Sequence, residues 1–129
     1  MIGYVTIGTN DIDRAREYYD ALFGSIGAKR LMELGHGFTM YGTGFGKPAV
    51  AVTPPYDGQK AVPGNGNMVA IVLDSRDKVD TFHAKALALG GSDEGAPGLR
   101  GPEGEQAFYG GYFRDPEGNK LCAYRIGPA

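Results

Sequence analysis

Few side chains in this sequence could do chemistry, and they are scattered along it. Two histidines, His36 and His83, and one cysteine, Cys122, are the candidates for a base or a nucleophile. An imidazole exchanges a proton near neutral pH, and a thiolate attacks an electrophile or binds a soft metal. Arg100 stands in a glycine-rich stretch and could contact a carboxylate or phosphate. Nothing beside Cys122, from Lys120 to Tyr124, supplies an activating base.

Each of these residues also has a structural interpretation. His36 lies between two glycines, a setting typical of a solvated turn, although it could approach a ligand as a base. His83 flanks the apolar stripe of a predicted helix and is interpreted as a residue at the core boundary. Cys122 fits the role of a small buried apolar residue, with a nucleophile or soft ligand as the alternative. Arg100 belongs either to a mobile surface loop or to a loop that closes over a ligand.

Composition and charge exclude several classes of protein. The formal net charge is −2, with acidic and basic residues interspersed, which disfavours binding to nucleic acid. The longest apolar runs, such as residues 68–73, are far shorter than the ~20 residues of a membrane span. The single cysteine cannot form an intramolecular disulfide, and the first residues lack the features of a signal peptide. We therefore expect a cytoplasmic protein that does not enter a membrane.

The sequence resembles itself at an offset of 64 residues. Tyr4-Val-Thr-Ile7 matches Met68-Val-Ala-Ile71, and Asp13 matches Asp77. Such self-similarity indicates an internal duplication. We predict a single domain, residues 1–129, with module one at about 1–54, a Pro- and Gly-rich linker at about 55–66 and module two at about 67–129.

Each half has the pattern strand, helix, then three further strands. In the first half, acceptor side chains at residues 10–13 predict a helix N-terminus, and apolar residues from Ala15 to Ile26 recur at helical spacing. In the second half, the corresponding helix carries Val79 and Phe82. Residues 92–106 read as an irregular loop, and Asp115-Pro-Glu-Gly118 predicts a hairpin turn. The fold class is α+β with two βαβββ modules.

These elements resemble a known family. The opening strand followed by residues 9–19, the glycine-ended helix, and the Tyr112-Phe-Arg-Asp-Pro-Glu-Gly-Asn-Lys-Leu121 segment are similar to the vicinal-oxygen-chelate superfamily of glyoxalases, bleomycin-resistance proteins and extradiol dioxygenases. The resemblance implies a curved, partly closed mixed sheet around a cleft, with a helix packed outside each module. It also implies a homodimer and a divalent metal held by His, Gln and Glu side chains.

The resemblance places metal ligands on the opening and closing strands of each module. Those positions fall on Tyr4, Val50, Met68 and Cys122, where Val50 is matched to Cys122 by aligning Gly46 with Gly118. Nickel, zinc or iron would need at least three imidazole or carboxylate donors. The sequence therefore predicts no metal and no other cofactor.

Without a metal, we expect these side chains to line an apolar pocket for a small organic ligand. The predicted ligand-binding residues are Tyr4, Val50, Met68, Cys122, Tyr109, Tyr124 and Arg100. The first hypothesis is a dimeric, metal-free binding protein. The second is a glyoxalase-like lyase or isomerase with displaced or non-metal catalytic groups, so whether the chain is an enzyme stays open. The third is a structural or interaction protein whose cleft is filled by its own side chains.

Overall fold

A computed structural model describes residues 1–129, which divide into two compact units, Met1–Pro63 and Gly64–Ala129. Each unit contains one helix and one four-stranded sheet. The elements of the first unit are β1 (Tyr4–Gly8), α1 (Ile12–Gly24), β2 (Lys29–Glu33), β3 (Thr39–Gly42) and β4 (Ala49–Thr53). Those of the second unit are β5 (Val69–Val72), α2 (Arg76–Ala88), β6 (Ser92–Leu99), β7 (Phe108–Arg114) and β8 (Lys120–Ile126).

The first unit is ordered β1-β4-β3-β2, with β1 parallel to β4 and the other pairs antiparallel. Helix α1 begins where the Asp11 side chain accepts a hydrogen bond from the backbone amide of Arg14. Its apolar stripe packs on β3, where the Tyr41 ring lies 6.2 Å from the Tyr19 ring and 5.6 Å from the Phe23 ring. The Tyr41 hydroxyl also donates to Asp20 at 2.8 Å. Tyr41 thus marks the side of this sheet that the helix covers.

The second unit repeats this topology in the order β5-β8-β7-β6. The Ser75 hydroxyl accepts from the amide of Lys78 at the start of α2. The rings of Phe82 and Phe113, 6.1 Å apart, join the helix to β7. In each unit the other side of the sheet carries no helix of that unit, and we call it the helix-free face.

Side-chain alternation along the paired strands identifies the residues of each helix-free face. In the first unit these include Tyr4, Thr6, Ala49 and Ala51. In the second unit they include Ala70, Phe108, Tyr112, Cys122 and Tyr124.

The structure confirms the α+β class and the two βαβββ modules. The helices Ile12–Gly24 and Arg76–Ala88 are separated by the same 64 residues as the sequence repeat. The Asp115–Gly118 turn is also present, with the Asp115 carboxylate accepting from the amides of Glu117 and Asn119. Neither 13-residue helix is long and apolar enough to cross a membrane.

One expectation about an irregular segment needs correction. Residues 92–99 are not a loop but the edge strand β6, which pairs with β7 through two register shifts. Bulges and an edge position let a strand accommodate Pro97 and two glycines.

The segment predicted as a linker contains neither helix nor strand. Its residues up to Pro63 belong to the first unit, where the Asn10 side chain hydrogen-bonds to both the amide and the carbonyl of Ala61.

Candidate functional site

Cys122 lies on the helix-free face of the second unit, opposite Tyr112 of β7 in the strand register. The residue is fully buried, and burial raises the pKa of its thiol. Two cations lie over the Tyr112 ring, Arg100 at 5.4 Å and Lys120 at 5.5 Å. A buried thiol with a raised pKa is mostly protonated near neutral pH, which makes it a poor nucleophile.

Arg100 follows directly after β6 and is exposed. Its guanidinium donates to the carbonyl of Ala96 at 2.7 Å and to that of Gly98 at 3.0 Å. These bonds hold the side chain over the Tyr112 ring. The Arg100 side chain is therefore held at the end of β6 by hydrogen bonds to backbone carbonyls.

Two tyrosines of the predicted set lie on opposite sides of the second sheet. Tyr124 shares the helix-free face with Cys122 and stacks on Phe108, with ring centroids 5.3 Å apart and an angle of 4° between the planes. Tyr109 packs against α2 instead, where its hydroxyl donates to Asp80 at 2.7 Å and Arg76 lies 5.1 Å above its ring. The expectation that Tyr109 faces the same side as Cys122 is wrong.

The inferred direction of Val50 is also wrong. Val50 is paired with Val5 and Tyr41, so its side chain points to the side of the sheet that α1 covers. In the parallel pairs, Thr6 matches Ala51 in the first unit and Ala70 matches Cys122 in the second. Since Thr6 and Ala70 are 64 residues apart, the counterpart of Cys122 is Ala51. Because side chains alternate along a strand, aligning the two closing strands with an error of one residue places every side chain on the wrong face of the sheet.

Tyr4 and Met68 are surface residues in the chain. Their exposed fractions are 52% and 45%, so neither side chain is buried in the core. The Tyr4 ring meets the Phe38 ring edge to face at 5.8 Å. Met68 directly precedes β5.

His83 is buried in the core of the second unit instead of lying at its boundary. Its Nε2 atom lies 3.0 Å from the carbonyl oxygen of Tyr112 and 3.1 Å from a carboxylate oxygen of Asp93. These contacts tie α2 to β6 and β7. They assign His83 a structural role.

An open groove with a volume of about 510 Å³ lies within the first unit. One wall is formed by strand residues and the β2–β3 turn, and the other by residues 53–62. The lining residues are Thr6, Gly8, His36, Phe38, Thr53, Pro54, Pro55, Tyr56, Asp57, Gln59, Lys60, Ala61 and Val62. His36 thus lies at a groove, as the alternative interpretation of this residue allowed.

Sequence reasoning missed the second wall of this groove because residues 55–66 were interpreted only as a linker. The segment is held in place by the Asn10 side chain, which accepts from the Ala61 amide at 2.8 Å and donates to the Ala61 carbonyl at 3.0 Å. The available signal was the aromatic and polar content of the segment, with Tyr56 and Lys60 among its prolines. A segment that only connected two modules would need neither aromatic nor charged side chains.

Comparison with known protein families identifies this arrangement. The model of the Glyoxalase/Bleomycin resistance protein/Dioxygenase superfamily matches residues 1–123. The chain belongs to this superfamily. No curated protein matches the sequence.

Solved structures agree with this assignment. A glyoxalase/bleomycin resistance protein from Albidiferax ferrireducens T118 is 33% identical, with a TM-score of 0.84 over 97% of this chain and 98% of that one. A family enzyme from Burkholderia phytofirmans PsJN is 21% identical, with a TM-score of 0.73 over 96% and 97% of the two chains. Lactoylglutathione lyase from Agrobacterium tumefaciens is 18% identical, with a TM-score of 0.66 over 97% and 92%. The last two similarities concern the fold alone.

The residues present do not fit the metal that the superfamily resemblance implies. With the corrected register, the four ligand positions carry Tyr4, Ala51, Met68 and Cys122. The alanine side chain has no donor atom, and methionine and cysteine supply only soft sulfur ligands. The structure contains no group of three or more His, Cys, Asp or Glu side chains that could hold a metal ion.

Proposed function

We propose that this chain is a metal-independent protein that binds a small organic molecule, acting in the cytoplasm as a homodimer. The observation that carries the proposal is the set of residues at the four family ligand positions, Tyr4, Ala51, Met68 and Cys122. This set has no imidazole or carboxylate, which nickel, zinc and iron sites use. Binding of an organic molecule needs no such donors.

Two features of the helix-free faces support an organic ligand. In the second unit, Tyr112, Tyr124 and Phe108 present aromatic rings beside Cys122. In the first unit, the groove has a volume within the range of ligand pockets, ~300–1,000 Å³. Aromatic rings with a few polar groups are typical of sites that hold flat organic molecules.

The experiment that tests this proposal is a metal titration. Protein purified without chelator is analysed for its metal content, and its thermal unfolding is followed with nickel, zinc, manganese and ferrous ions. A metal at a hundredfold over its dissociation constant would stabilise the fold by about 2.7 kcal/mol, which raises the unfolding temperature by several degrees. We expect no metal and no shift. One tightly bound metal per chain would overturn the proposal.

A glyoxalase-like lyase or isomerase is the second candidate, and the specific observation in its favour is His36 at the groove. Cys122 is a poor base or nucleophile because it is buried. An isomerase without a metal would therefore depend on His36 for proton transfer. Turnover of an α-ketoaldehyde hemithioacetal that is lost in His36→Gln would favour this candidate over simple binding.

A further inference from the structure

We infer that the helix-free face of the second unit binds a planar aromatic anion, whose charged group contacts Lys120 and Arg100 beside the Tyr112 ring. The inference rests on the proposed function, because it names the chemical class of the organic molecule and the residues that bind it. The binding groups are two cations and the neighbouring aromatic rings of one sheet.

The helix-free face of the second unit carries an excess of positive charge. Along β5, β7 and β8, alternation from Cys122 puts two charged side chains on this face, Arg114 and Lys120, and both are cations. Arg114 forms an ion pair with Glu94 of β6, which balances its charge. Lys120 is partly buried and forms no ion pair. A partly buried ammonium without a counterion keeps a desolvation cost that a bound anion would offset.

Lys120 and Arg100 meet at one aromatic ring. The Lys120 ammonium lies 5.5 Å from the centroid of the Tyr112 ring, and the Arg100 guanidinium carbon lies 5.4 Å from the same centroid. Gly95 leaves the space for this arrangement, since a Cβ there would lie 3.2 Å from the Tyr112 ring and 3.3 Å from a guanidinium nitrogen. Arg100 forms no ion pair, and its two backbone hydrogen bonds leave further N–H groups to donate. One small molecule that lies against the Tyr112 ring can therefore contact both cations.

The buried thiol of Cys122 responds to the charge at this place. Burial raises the pKa of the thiol, and the charged groups that act against this rise are Arg100 and Lys120. No carboxylate contributes to the shift, although the Asp115–Gly118 turn before Lys120 carries two of them. The electrostatic potential beside Cys122 is therefore set by cations, and it attracts an anion.

Aromatic rings continue from Tyr112 along the same face. Phe108 and Tyr124 stack with their centroids 5.3 Å apart, and both side chains are partly exposed, as Tyr112 is. Gly110 lies between Phe108 and Tyr112 on β7, and the Phe108 ring leans over it, 2.7 Å from the place of a Cβ. Side chains two residues apart on a strand are about 7 Å apart. An aromatic ring bound against these rings would thus hold an attached carboxylate within reach of the two cations.

The test compares cinnamate, a planar aromatic carboxylate, with its neutral analogue cinnamamide. Binding to the full chain is measured by amide chemical-shift titration at low ionic strength. We expect cinnamate to bind about tenfold more tightly than cinnamamide, because the amide cannot form the ionic contact. Lys120→Gln and Arg100→Gln should each weaken cinnamate binding about tenfold and leave cinnamamide binding unchanged. Lys120→Arg keeps the positive charge and should retain cinnamate binding.

Lys85→Gln is the matched control. Lys85 is also partly buried and without an ion pair, but it lies in the last turn of α2, on the side of the sheet that the helix covers. Its substitution should leave the binding of both compounds unchanged.

The same titration locates the bound cinnamate. We expect the largest shifts at the backbone amides of Phe108, Tyr112 and Tyr124. Absence of cinnamate binding, equal affinities for acid and amide, equal effects of Lys120→Gln and Lys85→Gln, or shifts confined to α2 or to the first unit would each overturn the inference. These failures differ from failure of the proposed function, which is decided by the metal titration and not by this probe.

Discussion

At the scale of single residues, Cys122 illustrates how burial controls reactivity. The side chain is fully buried and the pKa of its thiol is raised by burial, so the reactive thiolate is scarce and out of reach of reagents. We predict that a disulfide reagent such as dithionitrobenzoate labels the native protein about a hundredfold more slowly than the denatured protein, because labelling requires opening of the structure.

The control for this labelling is the double variant Cys122→Ala/Ser92→Cys, which moves the thiol to an exposed position at the start of β6. This variant should react quickly in the native state. Rapid stoichiometric labelling of the unmodified native protein would show that Cys122 is accessible and would restore it as a candidate nucleophile.

The two tyrosines of the predicted site differ in what their hydroxyl groups do. Tyr109 donates to Asp80, whereas Tyr124 is held by ring stacking on Phe108. Tyr109→Phe should lower the free energy of unfolding by about 0.5 kcal/mol, a small value because solvent reaches this hydrogen bond. Tyr124→Phe should leave stability unchanged. Urea unfolding of both variants measures the difference, and equal stabilities would contradict the assigned contact.

The effect of Tyr109→Phe on the free energy of unfolding should also depend on pH. The hydrogen bond to Asp80 raises the pKa of Tyr109 above its ordinary value of 10.0. A raised pKa in the folded state means that the contribution of Tyr109 is complete below about pH 10 and is lost as pH rises through the folded-state value. The stability gap between Tyr109→Phe and the unmodified chain should therefore shrink in strongly alkaline solution.

At the scale of elements, the segment after β4 depends on Asn10. The side chain of Asn10 makes two hydrogen bonds to the backbone of Ala61. Asn10→Ala should cost about 1 kcal/mol of stability and should speed hydrogen exchange at the Ala61 amide. Asn65→Ala, an exposed asparagine in the next turn, is the control and should have neither effect. Unchanged exchange at Ala61 in Asn10→Ala would show that other contacts hold the segment.

Elements with strong local signals could be predicted from the sequence. Both helices have a capping side chain and an apolar stripe, and the Asp115–Gly118 turn is set by its own carboxylate and glycine. Strand β6 has no such signal, since it contains Pro97 and two glycines and exists because β7 pairs with it. Pairing of a strand with its neighbour depends on the partner strand and is not visible in the residues of the strand itself.

The candidate site was harder to predict than the fold because it depends on register. The alignment of Gly46 with Gly118 matches Val50 to Cys122, whereas the strand register matches Ala51 to Cys122. Alternation along β7 puts Tyr109 on the side of the sheet that α2 covers, and the residue pattern alone does not say which half of a strand's side chains faces the cleft. The groove was missed because the Asn10–Ala61 contact joins residues 51 positions apart, and no local pattern announces it.

At the scale of the whole molecule, the opening strands β1 and β5 are the edge strands of their own sheets. They carry exposed apolar side chains, including Tyr4 and Val72, beside Ile2 and Met68. Exposed apolar edges are typical of surfaces that pair with another chain. We predict a solution mass of twice the 13.7 kDa of one chain by light scattering. Charged substitutions Tyr4→Lys and Val72→Lys should halve that mass, whereas a monomer at all concentrations would contradict the homodimer.

The central claim is that this superfamily member binds an organic molecule without a metal. The most direct measurement is thermal unfolding of chelator-treated protein with a panel of small aromatic and aliphatic acids and amides, repeated after nickel, zinc, manganese or ferrous ion is added. We expect at least one organic compound to raise the unfolding temperature by several degrees, equally with and without metal. Stabilisation that occurs only when a metal is present would contradict the claim and favour a metal-dependent enzyme.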